Sequence, residues 1–203
     1  MGEKEPFPEL EAVRKEIEIL KNMSCSELSA QLDEHWERLS SEDRAYISFL
    51  MVRRGCQEAV PYLLRQLGSE CSHHRSRALS GLEALGRRDC RSRFVNMHLT
   101  DESVQVRQTA LIMLSTLFRN ERDIGILRLA LATWDDPASS VGMRLYAGAA
   151  MMYQLAVPHD ERGAPAWWDE GNEYELEHPS IQRAVAETRQ LLAAETFDAG
   201  ISS

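Results

Sequence analysis

Arg44, Arg75, Arg107 and Arg144 stand 31, 32 and 37 residues apart, and the chain repeats itself around them. Three residues after each comes Ile47, Ala78, Ala110 or Ala147, and seven residues after each comes Met51, Leu82, Leu114 or Met151. Ten or eleven positions on, the segments close with Gly55, Leu85-Gly86, Leu117-Phe118 and Leu155. Arginine makes up 20 of the 23 basic residues, so its recurrence alone carries little weight. The joint register carries more. Spacings of three and seven keep these positions on one face of a helix. A period of about 30–40 residues means that each copy is one supersecondary unit, which needs its neighbours to bury its apolar face.

The rest of the chain also reads as helix, with no sustained alternation that would make a strand. Leu10, Val13, Ile17 and Leu20 form one apolar stripe, and Leu28, Leu32 and Trp36 form a second, with Ser26 placed to cap it. Further helical segments are expected at about 42–54, 57–67, 73–86, 89–99, 103–119, 122–133, 140–156 and 179–195. Gly86 reads as a left-handed helix stop, and Asp135-Asp136-Pro137 as a helix start. A shorter apolar helix precedes three of the Arg-led ones, around residues 59–64, 94–99 and 124–129. Each unit is therefore an A helix, a turn and a B helix, and a small residue at plus three lets the next unit approach closely.

The segment Asp101-Glu102-Ser103-Val104-Gln105-Val106-Arg107-Gln108-Thr109-Ala110-Leu111 resembles the HEAT repeat, whose second helix opens with Asp, four residues, Val-Arg, two residues and Ala. Arg75 with Ala78 and Leu82 fits more loosely, Arg144 with Ala147 fits after a two-residue insertion, and Arg44 leads a poor copy. The resemblance implies an all-α, right-handed α-solenoid of about four HEAT-like hairpins in a single domain over 1–203. Capping helices would occupy 1–39, repeats 40–156, a Trp-bearing acidic loop 157–178, and a capping helix with its tail 179–203. It also implies a structural ladder, in which Arg75, Arg107 and Arg144 meet aspartates such as Asp101 and Asp136. The motif specifies a fold and no chemistry.

Charge narrows the partner. The chain carries a net charge of -9, which opposes a role in coating nucleic-acid phosphates or anionic lipid. The ends are acidic, whereas residues 72–128 hold 10 Arg against 6 acids. Arg75, Arg77, Arg87, Arg88, Arg91 and Arg93 could form a local basic patch, or simply solvated turns. The apolar runs are too short to span a bilayer. The acidic N-terminus resembles no export signal, so a cytoplasmic setting and four reduced cysteines (Cys25, Cys56, Cys71, Cys90) are expected.

Three features compete as sites. Cys71, His73, His74 and Cys90 are metal-ligand types without the paired spacing of a zinc site, so no metal is expected. The stretch 158–178 joins Trp167-Trp168 and Tyr174 to the acids Asp169, Glu170, Glu173, Glu175 and Glu177, which suits either a recognition loop or a plug at the solenoid end. Arg77, Arg107 and Arg144 complete the candidate partner-binding set. Enzyme motifs (phosphate loop, nucleophile elbow, zinc-protease pair) are absent from the sequence, and no cofactor is expected. HEAT-like alkylpurine DNA glycosylases use Trp and Asp on a basic concave face, and Trp134-Asp135 and Trp167-Trp168-Asp169 supply those types. The sequence favours a non-enzymatic adaptor or scaffold that binds another protein, a bacterial toxin-neutralising protein being one form. The glycosylase is the alternative, and the oligomeric state stays open.

Overall fold

The computed structural model describes residues 17–157 and 176–201, all helices and turns with no strand among them. The chain forms two compact units, Met1–Leu85 and Gly86–Ser203.

In the first unit, residues 17–22 are helical. They are followed by α1 (Cys25–His35), α2 (Ser41–Arg53), a 3-10 turn (Gln57–Ala59), α3 (Val60–Gln66) and α4 (Ser72–Ala84). The cap of α1 is Ser24 rather than the expected Ser26. Ser24 Oγ accepts from the Glu27 N–H at 3.3 Å while the Ser24 N–H donates to Glu27 Oε2 at 2.6 Å, a reciprocal box that Ser26 has no glutamate at the right offset to make. Hydrogen bonding to Ser24 holds the Glu27 carboxyl below its ordinary range. Leu28, Leu32, Ile47, Met51, Leu63, Ala78, Leu79 and Leu82 are buried. α2 and α4 pack on each other and α3 packs on α4. Gly81 makes that approach possible, since a Cβ there would sit 2.9 Å from Leu63 Cδ2.

Two of the four cysteines are not the reduced thiols the sequence led us to expect. Cys25, which opens α1, is bonded to Cys56, which follows the left-handed turn at Gly55 (φ 72°). Their Cα atoms lie 5.8 Å apart, inside the window a disulfide needs. Cys71 is exposed and Cys90 buried, both as free thiols.

The second unit runs through a 3-10 turn (Arg88–Cys90), α5 (Arg91–Thr100), α6 (Val104–Leu117), α7 (Ile124–Asp135), α8 (Val141–Leu155) and α9 (Pro179–Ile201). Gly86 (φ 67°) adopts the expected left-handed conformation ahead of it. The Asp135–Pro137 stretch ends α7 instead of starting a helix. Ser140 starts α8, its hydroxyl accepting from the Met143 N–H at 3.2 Å. α5 packs on α6, α7 on α8, and α8 on both α6 and α9. Ala110, Leu114, Ala147 and Met151 are fully buried at the plus-three and plus-seven positions. On α9, Ile181, Ala184 and Val185 complete the same core.

Two buried polar side chains tie this unit together. Gln154, fully buried on α8, donates from Nε2 to the Ser115 carbonyl (3.1 Å) and the Phe118 carbonyl (2.9 Å). Its Oε1 accepts from the Asp123 N–H at 3.0 Å. His98 on α5 lies 3.0 Å from the Arg107 carbonyl through Nδ1 and 2.9 Å from Thr133 Oγ1 through Nε2. A carbonyl can only accept, so Nδ1 carries the proton of the neutral ring. Burial pushes the His98 pKa below its ordinary value.

Candidate protein-binding groove

Arg75, Arg107 and Arg144 hold the turns that precede their helices. Arg75 Nη1 donates to the Ser69 and Glu70 carbonyls at 2.8 and 2.9 Å. Arg107 Nη1 does the same to Asp101 (2.7 Å) and Glu102 (3.2 Å), and Arg144 Nη2 reaches the Asp136 carbonyl at 3.3 Å. These carbonyls end the preceding helix or follow it, where helical partners run out, and a fixed guanidinium satisfies them. The Asp101 carboxylate accepts from the Ser103 N–H (2.9 Å), and that of Asp136 from the Ala138 N–H (2.9 Å). Arg107 and Arg144 are half-buried.

Charge is also matched at three arginines of the cluster the sequence shows, Arg87, Arg88 and Arg91. In the second unit Arg87 Nε donates to Asp89 at 2.8 Å, and Arg88 grips both Glu121 oxygens at 2.5 and 2.6 Å. Arg91 donates to Asp123 at 2.7 Å. The guanidinium of Arg88 lies 4.4 Å from the Phe118 ring centroid, with Arg91 at 5.8 Å. Arg87 beside Asp89 holds that carboxyl below the usual range. Arg122 to Glu187, Arg128 to Glu195 and Arg189 to Asp135 fasten α9 across the unit. Most of these pairs are half-exposed and contribute modestly to stability. Within each pair the positive charge has a carboxylate beside it.

Arg77 is placed differently. It is exposed on α4, beside a groove of about 380 Å3 that runs between α2 and α4. Ala45, Phe49, Val52 and Arg53 of α2 form one wall, Leu63 and Gln66 of α3 the floor, and Arg77, Ser80, Gly81 and Ala84 the other wall. Phe49 is 46% exposed, unusual for a phenylalanine, and Arg53 lies over its ring at 5.8 Å. The absence of a side chain at Gly81 keeps the groove open. Gln66 sits at its base, donating from Nε2 to Ser48 Oγ at 2.8 Å. Sequence reasoning missed Phe49, because a phenylalanine close to Ile47, Leu50 and Met51 on a helix reads as core.

Trp167, Trp168 and Tyr174 lie outside the described residues. Trp134, half-buried, packs against the second core, and its neighbour Asp135 bonds Arg189 at 2.6 Å. Among the described residues no three His, Cys, Asp or Glu side chains are grouped as a metal ion would need. No helix of the described residues is long and apolar enough to cross a membrane. No family model, curated protein or solved structure matches this chain.

Proposed function

We propose that this chain is a HEAT-like, right-handed α-solenoid that acts as a non-enzymatic adaptor, holding another protein on its B-helix face. The observation that carries this reading is the α2–α4 groove, where exposed Phe49 stands in an apolar trough between Arg53 and Arg77. An aromatic ring flanked by guanidinium groups is the usual composition of a binding hot spot. Support for the solenoid comes from the hairpins themselves: B helix packs on B helix in each unit, α2 with α4 and α6 with α8. The partner places an apolar side chain over Phe49 and a carboxylate against Arg77, and the net charge of -9 speeds capture if the partner is basic elsewhere. A toxin-neutralising protein is one such adaptor, and Trp167, Trp168 and Tyr174 would extend the contact.

A cytoplasmic setting accords with the free thiols of Cys71 and Cys90, whereas a Cys25–Cys56 bond accords with an oxidising one. Peptide mapping of protein taken from its native cell decides between them. The adaptor reading is tested by affinity capture with wild type, Phe49→Glu and Arg77→Glu side by side, each checked by thermal melting. A partner held by wild type and lost at least tenfold from both variants at unchanged Tm supports the groove. Equal capture by all three sinks it. Salt-dependent binding to duplex DNA would instead favour a glycosylase.

A further inference from the structure

A second cavity of the first unit, about 660 Å3, opens where the α1–α2 corner, α3 and the start of α4 meet. Its wall contains Trp36, Arg44, Arg65, Cys71 and His74, with Glu70 as the only acid among the lining residues. The Arg65 and Arg44 guanidiniums lie 4.4 and 5.0 Å from the Trp36 ring centroid. Trp36 is itself stacked on Tyr62 at 5.8 Å, and the Tyr62 hydroxyl donates to the Ser29 carbonyl at 3.0 Å. The ring therefore holds two cations in place through its π face, which leaves most of their in-plane N–H donors free. One Arg44 donor reaches the Ser40 carbonyl at 3.3 Å, and Arg65 meets Glu37 only at 3.8 Å, on the solvent side.

The remaining wall adds donors, with Glu70 its one acid and the Glu42 carboxylate acting on His74 from outside the lining. α4 is 13 residues long, its N-cap Cys71 contributes no side-chain hydrogen bond, and no acid stands in its first turn. Its first N–H groups and dipole favour an anion. His74 is the second, independent sign: it is 5% exposed and lines the cavity, and no protein group among the described residues takes a hydrogen bond with its ring nitrogens, which are not sealed off from the cavity. A buried imidazole is rarely left so without a ligand or water to meet it.

We propose that this cavity binds a small phosphorylated molecule, its phosphate held by the Arg44 and Arg65 guanidiniums, His74 and the first turn of α4. The planar forks match a phosphate's oxygens. The volume exceeds that of the phosphate alone and falls in the range of small-molecule sites, so the rest of the cavity takes the ligand's organic part.

Cys71 supplies the readout. It is the exposed free thiol at this cavity, whereas Cys90 is buried and Cys25 and Cys56 are bonded to each other. Iodoacetamide labelling of the full chain therefore follows the occupancy of the site. Inorganic phosphate and phenyl phosphate at about 1–20 mM are expected to slow Cys71 alkylation at least threefold and to raise Tm, with sodium chloride of equal ionic strength doing neither. Phenyl phosphate should have the lower midpoint. Arg65→Gln and Arg44→Gln should each raise the phosphate midpoint about tenfold, Arg65→Lys by less, and Arg38→Gln, outside the cavity, not at all. Because the glutamine variants also loosen the Trp36 stack, calorimetric titration of wild type stands beside them. No heat and no protection in wild type, or equal protection by chloride, overturns the site. Equal midpoints for the two phosphates overturn the assignment of the remaining cavity to an organic group.

Discussion

Gln154→Leu is the sharpest probe of how the second unit is held. The side chain is fully buried and makes three hydrogen bonds, two to carbonyls at the end of α6 and one from the N–H of Asp123, which caps α7. Leucine has nearly the same volume, so the cavity contribution is small and the polar loss dominates. The three groups fare differently. The Phe118 carbonyl keeps a bond from the Glu121 N–H at 3.3 Å. The Ser115 carbonyl loses its side-chain donor, and the Arg119 N–H that would close the helix there bonds to Thr116 instead. The Asp123 N–H is left facing leucine. Each orphaned group costs about 1–3 kcal/mol, and the apolar gain of leucine offsets about 1 kcal/mol, so the net loss is about 3 kcal/mol. For a unit of this size the Tm should fall by about 10 °C. Gln182→Leu is the matched control, since its amide donates to the Leu176 carbonyl at 2.8 Å from an exposed position and should cost under about 1 kcal/mol. Thermal melting followed by circular dichroism gives the first readout, and hydrogen exchange over residues 115–123 localises the effect. If Gln154→Leu melts within about 2 °C of wild type with unchanged exchange, the amide does not join α6 to α7 and the account of this core is wrong.

Reducing the Cys25–Cys56 bond releases a loop with a sequence separation of 31 residues, and the chain-entropy estimate puts the loss near 3–4 kcal/mol. Melting with and without reductant measures it, and four titratable thiols in the unreduced protein would refute the pairing. His98, neutral and depressed by burial, binds fewer protons folded than unfolded. Stability should therefore fall as pH drops from its ordinary value of 6.5 toward the lower folded value, and level off beneath it. His98→Gln should flatten that part of the curve in denaturant titrations; an unchanged slope would assign it elsewhere. Gly148→Ala places a Cβ 2.8 Å from Ile181 Cγ2, where α8 meets α9, and should cost about 1–3 kcal/mol by chemical denaturation. Combined with Ile181→Ala the two losses should be less than additive, whereas strict additivity would mean that the helices do not touch there.

Much of the helical skeleton was legible in the chain itself. The segments expected at 42–54 and 140–156 are α2 (Ser41–Arg53) and α8 (Val141–Leu155), and the register that picked out Ala78, Ala110 and Ala147 picked out fully buried positions. Periodicity is a local property, so burial on a repeating face leaves its mark within a few turns of sequence. What meets what is not local. Cys25 and Cys56 read as two unrelated thiols until the turn at Gly55 brings them together, and the arginine run at 87–91 reads as a basic patch until Asp89, Glu121 and Asp123 fold against it. Trp36 looked like the end of a stripe and His74 like a stray metal ligand, yet they line one cavity with Arg44 and Arg65. The sequence by itself determined the helices and their buried faces, because these follow from backbone hydrogen bonding and the side-chain period. Only the tertiary structure decided the disulfide, the ion pairs, the open groove at Phe49 and the donor-lined cavity, because each depends on distances between residues that no local rule relates.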